Sequence, residues 1–310
     1  MQDFALIFST TLMYATPLIF AALGGVFSEN SGIINIGIEG MMTIGAFAGA
    51  AAGVIVGNPW IAFIIGGIAG GVFALIHAIA TVSFNADHTI SGVAINLLAP
   101  GVALFASKIM FDGATMTPTI PMENKIPRPL NGLLPDGILN TMFNSYATVY
   151  IAFILVVVVW FVLYKTKFGL RVRAVGEHPG AADTLGVNVT RIRYTAVIIS
   201  GILAGLGGAS MSLAVVSSFR PTLISGQGYI AMAAVIFGKW RPQWAMAACL
   251  LFGFSTALSV FFGNPELPFS INENLLSMIP YVVTLIMLVL FVKSSKAPSA
   301  LGNAYKKGER

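Results

Sequence analysis

Few side chains in this sequence can do chemistry, and most of those stand inside long apolar runs. Glu39 lies in GIINIGIEGMMTIGA, with Asn35 four residues before it and Gly32, Gly37, Gly40 and Gly45 around it. An ionisable group at membrane depth is expensive and marks a site by default. Glycines crowded around it are what a discontinuous helix with free backbone groups needs. One reading therefore puts Asn35 and Glu39 at a pathway or gate. The other makes Glu39 the cap of a helix start near the cytoplasmic interface, and the topology derived below favours that one. Asn96, in SGVAINLLAP, needs partners for its amide, from either a neighbouring helix or a polar substrate. Gln227 and Tyr229 open a short apolar segment, where a half-helix start would expose free N–H groups to a small molecule. His77 reads as an interhelical hydrogen bond, and Asp87-His88 as a capped helix start.

Other chemistries lack their residues. The one cysteine, Cys249, excludes an intramolecular disulfide and a cysteine metal site, and in WAMAACLLFGF it reads as a small buried hydrophobe. His77, His88 and His178 are scattered, so no metal and no cofactor is expected on this chain. No H-E-x-x-H, G-x-S-x-G or paired aspartates appear, against an intramembrane enzyme. Glu39 is almost alone among intramembrane carboxylates, against an ion-coupled secondary transporter.

The elements holding these residues are membrane spans. With 56% hydrophobic and only 9% charged residues, the chain has far too little polar surface for a soluble protein of 310 residues. A mean hydropathy of +0.85 agrees. Span-length apolar runs occur at about Ala5–Phe27, Ile33–Val56, Trp60–Phe84, Thr89–Phe111, Ala147–Tyr164, Thr195–Ser217, Trp244–Phe262 and Leu275–Val292. Gly228–Gly238 is too short to span upright, and reads as a broken or re-entrant ninth. Backbone groups in lipid must be satisfied within the segment, so the expected fold is an all-α polytopic bundle of 8–9 transmembrane helices. MQDFALIFSTTL has no basic region before its apolar run, and no cleaved signal peptide is expected.

Basic residues set the orientation. Lys165, Lys167, Arg171, Arg173, Arg191 and Arg193 share one loop, Lys239 and Arg241 another, and Lys293, Lys296, Lys306, Lys307 and Arg310 the C-terminal tail. With these inside, only Lys108, Lys125, Arg128 and Arg220 lie elsewhere. Alternation then needs nine crossings, an external N-terminus and a cytoplasmic C-terminus, and closes only if Gly228–Gly238 crosses. The loop Gly263–Asn274, with Glu266 and Glu273, falls outside. The positive charge is thus topological, and nucleic acid is not an expected partner. Residues 1–293 read as one transmembrane domain and 294–310 as a loose polar tail. The external loop 112–146, with Pro118, Pro121, Pro127, Pro129 and Pro135, reads as a folded cap. Gly45, Gly49, Gly53 and Gly57, with Gly66/Gly70, Gly67/Gly71 and Gly201/Gly205, form stripes on which another backbone can come close.

The loop 165–194 carries a short helix signature at 178–186, with Pro179 suited to the first turn and Gly186 to the stop. Ala181, Ala182 and Leu185 are read as one smooth apolar face, for a groove in a partner or for the bilayer surface. The loop resembles the cytoplasmic coupling loop of bacterial ABC importer permeases serving ribose-type sugars, nucleosides and branched-chain amino acids. The likeness lies in R-A-x-G-E-x-P-x-A-A-x-x-x-G-[VI], here Arg173, Ala174, Gly176, Glu177, Pro179, Ala181, Ala182, Gly186 and Val187. A span with Ser200-Gly201, Leu203-Ala204-Gly205-Leu206 and Gly208 follows, and the likeness runs from Ser28 to about Val292. Within that branch, the stretch from Glu29 to Gly40 is similar to the nucleoside subgroup, and the N-terminus looks one helix shorter than in the sugar relatives.

The resemblance implies a permease subunit in the bacterial cell membrane, forming the pathway of an ATP-driven importer for nucleosides. A ribose-type monosaccharide is the alternative substrate. It further implies an ABC ATPase partner that uses ATP and Mg, a second, different permease chain, a substrate-binding lipoprotein and membrane lipid. The chain has no G-x-x-x-x-G-K-[ST] loop and is not itself the ATPase. Glu177, Pro179, Ala181, Ala182, Leu185 and Gly186 are the expected coupling residues, and Asn35, Glu39, Asn96 and Gln227 the expected pathway residues. Replacing Ala182 with arginine is expected to weaken ATPase docking while sparing insertion.

Overall fold

The computed structural model describes residues 2–133, 135, 137–263, 273–291 and 296–306. Every regular element among them is helical. Seven are long and apolar enough to cross a membrane. They are α1 (Gln2–Asn30), α2 (Ile38–Ile55), α3 (Pro59–Ala78, prolonged by a π turn to Ser83), α4 (His88–Met110), α6 (Ala147–Lys165), α9 (Val189–Ser210, prolonged by a π turn to Val216) and α11 (Pro242–Phe262). Between these lie the short α5 (Ile138–Phe143), α7 (Lys167–Glu177), α8 (Pro179–Thr184) and α10 (Gln227–Phe237), and α12 (Glu273–Phe291) follows. Val292 and most of the 263–274 connection lie outside the described residues.

The glycine stripes become the seams of the bundle. A Cβ added to Gly45 would stand 2.4 Å from the Gly205 Cα, and one on Gly70 would stand 2.3 Å from the Gly201 carbonyl oxygen. Helices α2, α3 and α9 therefore touch backbone to backbone, which only residues without side chains permit. Helix α1 packs beside this trio and against α11. Gly57 departs from its stripe and forms the turn after α2 in the left-handed region, with φ +71°.

The expected span Ile33–Val56 is interrupted. Residues 31–37 are not helical, and α2 starts only at Ile38. Their backbone groups are satisfied partly by turns on the end of α1 and partly by side chains. Ser28 Oγ donates to the Ile33 carbonyl (2.7 Å) and His77 Nε2 bonds the Ile34 carbonyl (3.1 Å). The Ile34 N–H donates to His88 Nδ1 (3.3 Å).

The two ends of the bundle differ. At the proline-rich end, the 112–146 loop folds onto the helices. Ile120 and Ile126 are buried, and the Ile120 N–H donates to the Ser217 carbonyl (2.8 Å). Asn124 donates to the Gly53 carbonyl near the end of α2 (3.3 Å). At the opposite, basic end, Asn30 donates to the Trp240 carbonyl (3.1 Å) and the Trp240 indole donates to the buried Glu29. These bonds hold Lys239 and Trp240 at φ +51° and +56°, where non-glycine residues seldom sit.

The chain from Ser217 to Trp240 joins the two ends. It enters without helix, turns at Gly226 (φ +83°) and finishes as α10. The 11 residues of α10 rise about 16 Å, roughly half the hydrocarbon thickness. The tail corrects its expectation. Residues 298–305 are docked on the basic end, with Ala300 N–H on the Gly176 carbonyl (2.9 Å) and Gly302 N–H on the Gly32 carbonyl (3.0 Å).

Candidate functional site

Glu39 stands in the first turn of α2, directed at the start of α10. Its Oε1 accepts the Gly226 N–H and its Oε2 the Gly228 N–H, both at 2.6 Å. A carboxylate thus sits on the free donors and the positive dipole end of a helix. The expected cap of a helix start is that of α10, and its place is corrected: it lies a half-helix away from the basic end. The fit is close, since a Cβ on Gly228 would lie 2.5 Å from the Glu39 Cα.

Asn96, on α4, completes the joint. Its Oδ1 accepts the Gly40 N–H (2.8 Å), and its Nδ2 donates to the Ile36 carbonyl (2.9 Å) and the Tyr229 hydroxyl (2.9 Å). It ties together the unwound segment, the start of α2 and the start of α10. Gln227 shares that helix start and is half-buried. Tyr229 is 48% exposed. Around it α4 presents Val93, Leu97 and Leu98 outward. The joint therefore opens on the side of this single chain, at a depth where exposed polar groups need cover.

Asn35 is placed apart from the other three. It is fully buried, donates to Ser200 Oγ on α9 (2.9 Å) and contacts Met41 Sδ (3.4 Å). Its Oδ1 has no partner among the described residues. It anchors the unwound segment to the core. Among the described residues, no three His, Cys, Asp or Glu side chains gather as metal ligands would.

On the basic end, α8 has Pro179 at its start and Gly186 at φ +81° after its end. Its expected apolar face splits. Ala182 is 4% exposed and packs with Val175 and Val189, whereas Leu185 is 84% exposed. Successive helical residues point about 100° apart, so Ala181 and Ala182 cannot share a narrow contact. Gly180, Ala181, Thr184 and Leu185 face outward. Glu177 points to its own chain, accepting the Ser299 N–H (3.2 Å) and hydroxyl (2.7 Å). An arginine at 182 would thus first disturb this chain's own packing, whereas Ala181 stands exposed.

Sequence reasoning missed the Glu29–Trp240 pair and the Asn35–Ser200 bond. The available signals were a carboxylate at the end of an apolar run and a lone Trp between Lys239 and Arg241.

Comparison with known proteins adds to this geometry. Residues 7–292 match the family model described as the permease component of branched-chain amino acid transport systems. The chain is 45% identical to the guanosine ABC transporter permease protein NupQ of Bacillus subtilis, over 100% of this chain and 99% of that one. It is 39% identical to the nucleoside ABC transporter permease protein NupC of Lactococcus lactis, over 98% of each. It is also 35% identical to the putative glucose ABC transporter permease protein TsgC13 of Haloferax volcanii, over 96% of this chain and 97% of that one.

Proposed function

The chain belongs to the permease-component family of branched-chain amino acid transport systems, and from that premise we infer that it forms the translocation pathway of an ATP-driven nucleoside importer. It is a multi-pass permease of the plasma membrane, not an enzyme, and ATP is hydrolysed on a separate subunit. One observation carries the substrate: likeness over the whole length to permeases named for guanosine and nucleosides. The likeness to a putative glucose permease keeps a sugar as the second reading.

The pathway runs along the joint of Glu39, Asn96, Gln227 and Tyr229. The exposure of Tyr229 beside an apolar stretch of α4 supports a second, different permease chain as the cover of this face. Asn35 acts behind the joint, as the anchor of the unwound segment on α9. The bundle has nine crossings, with α12 and the segment from Ser217 through α10 each counted as one. The N-terminus is outside and the basic end cytoplasmic. Residues 1–293 make one transmembrane unit and 294–310 its tail. A substrate-binding lipoprotein delivers to the proline-rich end.

Helix α8 is the coupling helix, and its outward Gly180, Ala181 and Leu185 enter a groove of the ATPase, which consumes ATP and Mg. The coupling loop spans 165–194, with Pro179 and Gly186 delimiting α8 and Glu177 and Ala182 seating it on this chain. ATP binding shifts the bundle because the closed ATPase favours one of its two openings.

The test is uptake of radiolabelled guanosine, ribose, glucose and leucine in cells lacking the chain, with the intact gene restored. Loss confined to the nucleoside supports the reading. Loss confined to a sugar transfers the same pathway to the second reading, and loss of none removes both.

A further inference from the structure

The docked tail adds a second tie between parts of the chain that already meet at one point, where Gly176 at the end of α7 packs on the backbone of Asn30 and Gly32. Ser299 holds Glu177 through both its N–H and its hydroxyl. Ala300 bonds Gly176, at the end of α7. Gly302 bonds Gly32, at the start of the unwound segment. The Asn303 carbonyl accepts from Arg193 Nη1 on α9 (3.1 Å), and Arg193 is 2% exposed beneath this cover. Tyr305 packs on the cluster of Val175, Ala182 and Val189, which holds the buried side chain of α8. Eight residues beyond Gly32 along the chain stands Asn96's partner Gly40, next to Glu39.

We propose that residues 299–305 are a transmission strap, which binds α7 and α8 to the 31–37 segment so that displacement of α8 reaches Glu39 and its hold on α10. The proposal rests on the reading of α8 as the ATPase-docking helix. Helix α8 is only 6 residues long and is seated on the chain by one buried side chain, Ala182. Such an element yields under load unless it is braced. The strap braces it from the tail side and carries the load on to Gly32. The unwound segment is itself held by His77, His88 and Asn96, so it moves as a unit rather than absorbing the displacement. Residues 299–305 and Glu177 are positioning residues in this scheme and touch neither substrate nor nucleotide.

The experiment measures radiolabelled guanosine (or glucose, if the uptake test selects it) moved per ATP hydrolysed. It uses the complete complex in liposomes. Ala300→Pro removes the N–H that bonds Gly176, and a chain ended after Lys296 removes the strap. Both keep the ATPase bound and hydrolysing, and the amount moved per ATP falls at least about tenfold, the size of an ordinary coupling between linked sites. Ala300→Ser keeps the N–H and a small side chain and restores the ratio. If the shortened chain does not accumulate, Ala300→Pro decides. An unchanged ratio in Ala300→Pro overturns the strap. Ala181→Arg separates the two ideas: if it leaves the ATPase bound, the docking reading fails, and if it releases the ATPase while Ala300→Pro keeps the ratio, the strap alone fails.

Discussion

Where α2 meets α9, Gly45 stands against the backbone of Gly205, with no room for a methyl group. Where α2 meets α10, nearly two turns earlier, Glu39 holds two backbone N–H groups through a carboxylate. Contact at the first place is dispersion between close-packed atoms, which vanishes with a shift of an ångström and has no substitute partner. Contact at the second is a pair of charged hydrogen bonds, which water or a ligand can replace at little loss. The same helix is thus fixed on one side and exchangeable on the other. In the alternation between openings proposed above, motion belongs at the exchangeable side, with the glycine seam as its frame.

The comparison breaks first if the seam tolerates bulk. Overpacking a core costs about 1–3 kcal/mol. Here the obstacle is backbone, so Gly45→Val should reach the top of that range or pass it. The variant is expected to accumulate poorly or to lose cooperative melting in detergent, and an unchanged Tm would sink the rigid-frame idea. Glu39→Gln comes next. The amide can accept only one of the two N–H groups, and the orphaned donor costs about 1–3 kcal/mol. Uptake should fall about tenfold or more for such a cost, with Tm lowered by only a few degrees. A collapse of Tm comparable to Gly45→Val would make Glu39 part of the frame.

Asn96→Ala strips Gly40 N–H and the Ile36 carbonyl of their partner and frees Tyr229. It should lower Tm and uptake together, since it loosens the unwound segment as well as the joint. Retained uptake with a lowered Tm would confine Asn96 to a structural task. The smallest effect belongs to Tyr229→Phe, which keeps the ring and loses one hydroxyl bond worth about 1 kcal/mol. A change in uptake of a few-fold, with Tm unmoved, would place the hydroxyl in the moving part.

The helices were legible because hydropathy is a local property. The run Trp60–Phe84 became Pro59–Ser83, one residue displaced at each end. The glycine stripes named their own seams for the same reason, since a repeat every four residues marks one face of one helix. What was not legible is non-local. Glu39 was read as a cap without its helix being identified, because its partners lie 187 and 189 positions away. Ala182 was grouped with Ala181 by adjacency, although the seat formed by Val175 and Val189 selects only one of them. The tail was read as loose from its polar side chains, but its main attachments are backbone N–H groups, which composition does not register.

The half-helix α10 has a consequence for how the protein is made. An apolar segment of 11 residues is too short to enter a bilayer on hydropathy alone. Among the described residues, its donors at Gly226 and Gly228 are satisfied by Glu39, synthesised long before. The crossing proposed for 217–237 would therefore rest on Glu39 of the already-made α2 and on α11, whose start is flanked by Lys239 and Arg241, drawing it across. Biogenesis intermediates ending at residue 241 should leave that stretch uncrossed, and chains ending beyond α11 should have it threaded, as glycosylation or cysteine-labelling tags can read out. Assembly order, and not sequence hydrophobicity, would then decide the topology of this segment.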